Sequence, residues 1–167
     1  MNARVALIGA PGAGKTTIGS ALAELWGCTF IDTDVEFQGD YGMSVAEAVI
    51  DDEATFRARE QEVVVRSLAV LGTVVAVGGG AVASDQVRTA LARVPTVWLE
   101  VGLVDAARRT GLSGARPVAL GNVRGQLHDM LKQRAVVYQQ LADLHVSTDG
   151  RTPEEIVAEI AAWEAAP

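Results

Sequence analysis

The run Gly9-Ala10-Pro11-Gly12-Ala13-Gly14-Lys15-Thr16 fits the spacing G-x-x-x-x-G-K-[ST]. Such a loop can turn its backbone amides inward around phosphate oxygens, with a lysine bridging the β- and γ-phosphates and a hydroxyl left to ligate Mg²⁺. The glycines let the chain curl, and a helix beginning at the lysine adds its positive end. A nucleoside triphosphate is the ligand this chemistry calls for. Gly12, Ala13, Gly14, Lys15, Thr16 and Thr17 are the residues expected against its phosphates.

Asp32-Thr33-Asp34 comes next, after Thr29-Phe30-Ile31. Aspartates two apart in an extended segment face the same way, so both can serve one site. The run Val74–Val77 ends in Gly78 rather than in the carboxylate that often closes a Walker-B strand. Asp32 is therefore assigned to the hydrated Mg²⁺, and Asp34 to an acceptor hydroxyl, as a positioning group or base. An aspartate here can also simply cap the following helix. Gly78-Gly79-Gly80 offers three residues without side chains directly after an apolar run, so backbone amides there can approach a ligand closely. Arg57, Arg109, Arg116 and Arg134 are candidate cations, but spacing alone does not separate them from arginines on solvated helix faces.

These groups need a scaffold, and short β-branched runs alternate with amphipathic segments along the whole chain. Strands are expected at Val5–Ile8, Thr29–Ile31, Val74–Val77, Thr96–Val101 and His145–Ser147, the last at a sheet edge. Helices are expected over Lys15–Trp26, with Ile18, Leu22 and Leu25 on one face, over Glu53–Leu71, and after Ser84. Ser44-x-x-Glu47 and Thr152-Pro153-x-Glu155 carry capping-box signatures. Strands alternating with helices imply an α/β fold, a five-stranded parallel sheet sandwiched by helices. The stretch 112–124, with Gly114, Pro117 and Gly121 and little periodicity, is expected to be a mobile lid.

A chain of 167 residues suits one domain. Its 49% hydrophobic and 21% charged residues exclude a disordered polymer. The net charge of −7 argues against a broad nucleic-acid-binding face, which needs many cations. Cys28 is the lone cysteine, so no intramolecular disulfide can form, and a reducing cytosol is the expected setting. No apolar run approaches the roughly 20 residues that cross a bilayer. The expectation is a cytoplasmic protein that engages neither membrane nor nucleic acid.

In order and spacing these motifs resemble the shikimate kinase family. GAPGAGKTT, IDTD at 31–34, Phe56-Arg57, VGGGAV at Val77–Val82, RRTG at Arg108–Gly111, Arg116-Pro117, R-x-x-x-Y at Arg134–Tyr138 and Thr152-Pro153 all fall in that family's sequence of motifs. The resemblance implies a single P-loop kinase domain over 1–167, acceptor-binding helices over about 33–62, and a lid over about 112–124. It implies ATP-dependent phosphorylation of shikimate at its 3-hydroxyl, with one Mg²⁺ ion per chain and a monomeric enzyme. Asp34 then corresponds to the group that binds the acceptor hydroxyls. Arg57 and Arg134 correspond to a carboxylate clamp, with Gly78, Gly79 and Gly80 lining the same pocket. Arg116 resembles the lid arginine that reaches the transferring phosphate. Arg109 and Pro153, with Arg151 beside them, resemble the residues that enclose adenine. Another small-molecule P-loop kinase, of gluconate or nucleoside-monophosphate type, and a non-catalytic nucleotide-binding module are the competing readings. The chain departs from the family's habit at Asp52, where a glycine is usual, at Val49, near which an aromatic often stands, and at Val118-Ala119, where leucines often follow.

Overall fold

The computed structural model describes residues 2–110 and 117–166. Five strands, β1 (Val5–Ile8), β2 (Phe30–Asp32), β3 (Val74–Ala76), β4 (Thr96–Glu100) and β5 (Leu144–Ser147), form one sheet in the order β2-β3-β1-β4-β5. Every pairing is parallel. Among the described residues, eight helices connect and cover them: α1 (Lys15–Trp26), α2 (Thr33–Tyr41), α3 (Val45–Asp51), α4 (Glu53–Leu68), α5 (Asp85–Leu91), α6 (Leu103–Arg109), α7 (Pro117–Leu141) and α8 (Pro153–Glu164).

The period-two alternation of the strands sorts the core into two layers. Val5, Leu7, Val97 and Leu99 point to one face, where Ile18 and Leu22 of α1 and Ile156 and Ile160 of α8 meet them. Ala6, Ile8, Val75 and Trp98 point to the other, against Val64 and Leu68 of α4, Leu91 of α5 and Tyr138 of α7. Burying side chains such as Leu7, Leu22 and Leu99 contributes about 1.5–3 kcal/mol each relative to exposure. A third cluster, Phe37, Ala48, Phe56 and Val63, is a small core of its own that joins α2, α3 and α4. Val49 is packed against it where the family often has an aromatic.

Several boundaries differ from the sequence expectation. The helix α4 stops at Leu68, and Leu71 is exposed. Leu25 lies on the solvent side of α1, and the buried stripe runs through Ile18, Gly19, Leu22 and Ala23. Residues 117–124, expected to belong to an irregular lid, are the first two turns of α7. Helix propensity in Val-Ala-Leu outweighs the single Gly121 there, and proline at the first helical position is well tolerated. The remainder of the expected lid, with Arg116, lies outside the described residues.

β1 occupies the middle of the sheet, flanked by β3 and β4. After β1 the chain leaves toward β2, and after β3 it crosses to β4, so the loop after β1 opens at the carboxyl edge where the connections diverge. In open parallel sheets that crevice is where ligands bind.

Candidate active site

The loop from Gly9 to Gly14 joins β1 to α1. Gly12 and Gly14 have φ of 82° and 92°, a left-handed conformation in which a side chain would be strained. Gly14 is the N-cap of α1 and offers no side-chain cap, and the first turn carries no acidic residue. By contrast, α2, α3, α4, α5 and α8 each start on a capping side chain. The free amides at the start of α1 are thus left for an anion. Lys15 Nζ donates to Gly9 O at 2.7 Å and Ala10 O at 3.2 Å, resting on the loop's own carbonyls. Burial lowers its pKa to about 8; Asp34 and Asp32 oppose that shift, and Arg134 adds to it.

The two aspartates reach the site by a different local structure from the one their spacing suggests. Asp32 ends β2 and is the N-cap of α2, its side chain accepting from Asp34 N at 3.0 Å. Asp34 therefore stands on the first turn of a helix, not in an extended segment. The capping and functional readings of Asp32 hold together, because its other oxygen accepts from Thr16 Oγ1 at 2.6 Å. A hydroxyl and a carboxylate joined in this way beside a phosphate-binding loop are hard oxygen donors suited to Mg²⁺, which keeps much of its water. Gly14, Lys15, Thr16, Thr17, Asp32 and Asp34 all line one cavity of about 330 Å³. Burial pushes the Asp34 carboxyl up from its ordinary value, the Asp32 charge adds to the rise, and Lys15 opposes it.

The three glycines each lie against a different functional side chain, and Gly79 also lies against Gly9 O and Pro11 of the phosphate loop. A Cβ at Gly78 would lie 2.7 Å from Asp34 Oδ1, one at Gly79 3.5 Å from Arg134 Nη1, and one at Gly80 2.5 Å from Arg57 Nη1. The turn is a backbone surface against which Asp34, Arg134 and Arg57 converge. It is anchored from below, since Gly78 N donates to the buried Thr33 Oγ1 at 2.9 Å.

Two residues of this assembly are not among the site candidates that the sequence singles out. Glu60 is 6% exposed and accepts from Arg57 Nη1 at 2.7 Å. Burial raises its pKa, and Arg57 counters that rise. Within the acidic run Glu53–Glu62 nothing marks Glu60 apart, yet three residues after Arg57 on a helix is the spacing that brings two side chains together. Tyr138, quoted above only as part of a motif, donates to Gly79 O at 2.7 Å. Arg57 also approaches Glu53 at 3.6 Å, whereas Arg134 makes no ion pair among the described residues.

A third group lies on the far side of the loop. Arg109 Nη1 donates to Gly12 O at 3.1 Å and to Thr148 Oγ1 at 3.2 Å, tying α6 to the phosphate loop and to the segment after β5. Arg151 pairs with Glu159 at 2.7 Å, and Pro153 opens α8 behind a capping box of Thr152 and Glu155. With Ala13, Ile18 and Ile156, the side chains of Arg109, Arg151 and Pro153 wall a cavity of about 250 Å³ that is mainly apolar and carries two guanidiniums. An aromatic base with a phosphate tail matches that lining.

Of the residues expected from the sequence, the structure brings Lys15, Thr16, Asp32, Asp34 and Gly78 to one cavity, Arg57 and Gly80 to a second one with Glu60, Arg134 against Gly79 between them, and Arg109, Arg151 and Pro153 to a third. Arg116 lies outside the described residues.

The family model described as shikimate kinase matches residues 11–164. The shikimate kinase of Thermobifida fusca is 50% identical over 159 residues, which is 95% of this chain and 92% of that one. The shikimate kinase of Salinispora arenicola is 48% identical over 96% of each chain. Among solved structures, shikimate kinase from Acinetobacter baumannii in complex with shikimate superposes with a TM-score of 0.84 at 30% identity, covering 98% of this chain and 92% of that one. Likeness of this extent, in sequence and in fold alike, leaves one conclusion: the chain belongs to the shikimate kinase family.

Proposed function

We propose that the protein transfers the γ-phosphoryl group of ATP to the 3-hydroxyl of shikimate. The observation that carries this reading is the glycine turn at 78–80, on which an acid–base group and two guanidiniums meet beside the phosphate loop. One aspartate suits a polyol, and two arginines suit a planar carboxylate by bidentate pairing. Shikimate presents both groups on one small ring.

In this reading Lys15 and the amides of Gly12–Thr17 hold the triphosphate, while Arg109, Arg151 and Pro153 enclose the base. Thr16 and Asp32 would hold Mg²⁺, which when bound neutralises phosphate charge. Asp34 accepts a hydrogen bond from the attacking hydroxyl and fixes it in line. Its raised pKa leaves it able to take the proton as the new bond forms. Little deprotonation is required in a loose phosphoryl-transfer transition state, so orientation is its main contribution. Glu60 holds Arg57 by one edge and steers its remaining donors, whereas Arg134 makes no ion pair among the described residues and feels the Glu60 charge only at longer range. Arg116 is assigned to the transferring phosphate on its motif alone.

A single chain is the working unit in this proposal. No helix of the described residues is long and apolar enough to cross a membrane, and we assign the enzyme to the cytosol. A coupled ADP-release assay with shikimate, gluconate and nucleoside monophosphates tests the reading. Turnover with shikimate alone is expected. Turnover with gluconate or a nucleotide acceptor, and none with shikimate, would overturn it.

A further inference from the structure

Tyr138 stands one helical turn beyond Arg134 on α7. Its ring is 1% exposed and packs on Trp98 with centroids 6.0 Å apart. A phenol at that depth must satisfy its hydroxyl, and here it does so through Gly79 O at 2.7 Å. Burial raises the pKa of the phenol, so it stays a neutral donor, while the nearby Arg134 charge opposes that rise. This bond joins α7 to the glycine turn across 59 positions of sequence, and none of the roles set out above makes use of it.

A trans peptide points its carbonyl and the next N–H in opposite directions, and the described residues contain no cis peptide. Gripping Gly79 O therefore also sets the direction of Gly80 N–H, turned away from the phenol. That N–H makes no hydrogen bond among the described residues. Gly80 itself is part-exposed. The turn that carries it is the one on which Arg57 and Arg134 both lie.

We propose that Tyr138 is a positioning residue for carboxylate recognition. Its hydroxyl locks the Gly79–Gly80 peptide so that Gly80 N–H is offered to the carboxylate that Arg57 and Arg134 grip. It also keeps the helix that bears Arg134 in register with that peptide. Without the hydroxyl the peptide is free to rotate and Gly79 O is left without its buried partner.

The inference rests on the shikimate reading, and its test separates the two. Wild type, Tyr138→Phe and Trp98→Phe are compared with shikimate and with its uncharged methyl ester as acceptors. In Tyr138→Phe the KM for shikimate should rise by about tenfold, the size of one hydrogen bond to a charged group. Its kcat and its KM for ATP should hold, and its preference for the acid over the ester should shrink. Trp98→Phe disturbs the packing of the ring but not the hydroxyl bond, so its acid-over-ester preference should stay that of wild type. Should Tyr138→Phe keep the wild-type preference, or should Trp98→Phe lose it equally, the inference is overturned. A wild type that fails to phosphorylate shikimate overturns the functional reading instead. If Tyr138→Phe does not fold, the unmutated chain grown with 3-fluorotyrosine replaces it, with Tyr41 assigned by Tyr41→Phe. The Tyr138 fluorine resonance should then shift when shikimate binds and shift less with the ester. Equal shifts, or none, overturn the inference.

Discussion

Lys15 brings together the cost of a buried cation and the need for one. Its pKa of about 8 follows first from burial, and the neighbouring aspartates only partly restore it. Above pH 8 the free protein holds this lysine increasingly neutral, and a bound triphosphate should draw a proton back onto it. Nucleotide binding is therefore expected to take up protons increasingly from pH 7.5 to 9. Titration calorimetry in two buffers of different ionisation enthalpy measures this, and buffer-independent heats across that range would count against it. The stability sign is the reverse of a stabilising ion pair. Between pH 8 and the ordinary 10.5, the unfolded chain binds more protons at this position than the folded one. Lys15 thus makes the empty protein more stable as pH rises through that window. The aspartates separate in a second way. Asp34→Asn keeps shape but loses charge and basicity, so turnover should fall by about 10²-fold or more, with ATP affinity retained. Asp32→Asn weakens the Thr16–Asp32 pair and should raise the Mg²⁺ requirement instead. A Mg²⁺ titration of both variants distinguishes these outcomes, and rescue of Asp34→Asn by excess Mg²⁺ would reverse the two assignments.

At the scale of elements, the loops and caps that follow β1, β2 and β3 decide what each side chain can touch. The 3₁₀ turn Ala81–Ala83 follows directly on the glycines and holds them against α2, α4 and α7. A methyl at Gly80 would meet a guanidinium at 2.5 Å, and one at Gly78 a carboxylate at 2.7 Å. Gly80→Ala should therefore raise the KM for shikimate about tenfold or more by displacing Arg57, whereas Gly78→Ala should act mainly on kcat by displacing Asp34. Steady-state kinetics on the pair tests this, and identical kinetic profiles would refute the division. Much of this was legible in the sequence: the strand–loop–helix context of the P-loop, both capping boxes and the three glycines are local signals. What was not legible depends on partners distant in sequence. Asp32-x-Asp34 reads as extended until α2 is known to begin at Thr33. Glu60 resembles its acidic neighbours until α4 packs its face against the turn. Leu25 reads as core because periodicity gives a stripe but not its width.

The whole molecule is a sheet whose carboxyl edge carries every pocket assigned to a ligand, while its closure depends on contacts at the opposite end. Arg4, just before β1, forms a bidentate pair with Glu164 at the end of α8, both bonds at 2.9 Å. Its guanidinium also lies 4.2 Å from the Trp26 ring at the end of α1. One side chain thus fastens the start of the chain to its last helix, and α8 in turn supplies Pro153 and Ile156 to the base pocket. The pair raises the pKa of Arg4 and lowers that of Glu164, chiefly through the shared hydrogen bonds. Because Glu164 is depressed, its contribution is present above the ordinary carboxylate range and is lost as pH falls through the folded value. Both groups remain partly solvated, so screening limits the pair to about 1 kcal/mol or less. Glu164→Gln should lower Tm by no more than about 2–4 °C at neutral pH, and by less as the carboxyl protonates. Arg4→Ala removes the stacking on Trp26 as well and should cost about 0.5–1 kcal/mol more. Neither residue touches a ligand pocket, so kcat and both KM values should match wild type at temperatures well below Tm. Thermal melts from pH 3 to 8, read beside kinetics at 20 °C, provide the check. A drop in activity without a drop in Tm would mean that this end of the molecule communicates with the site by a route other than stability.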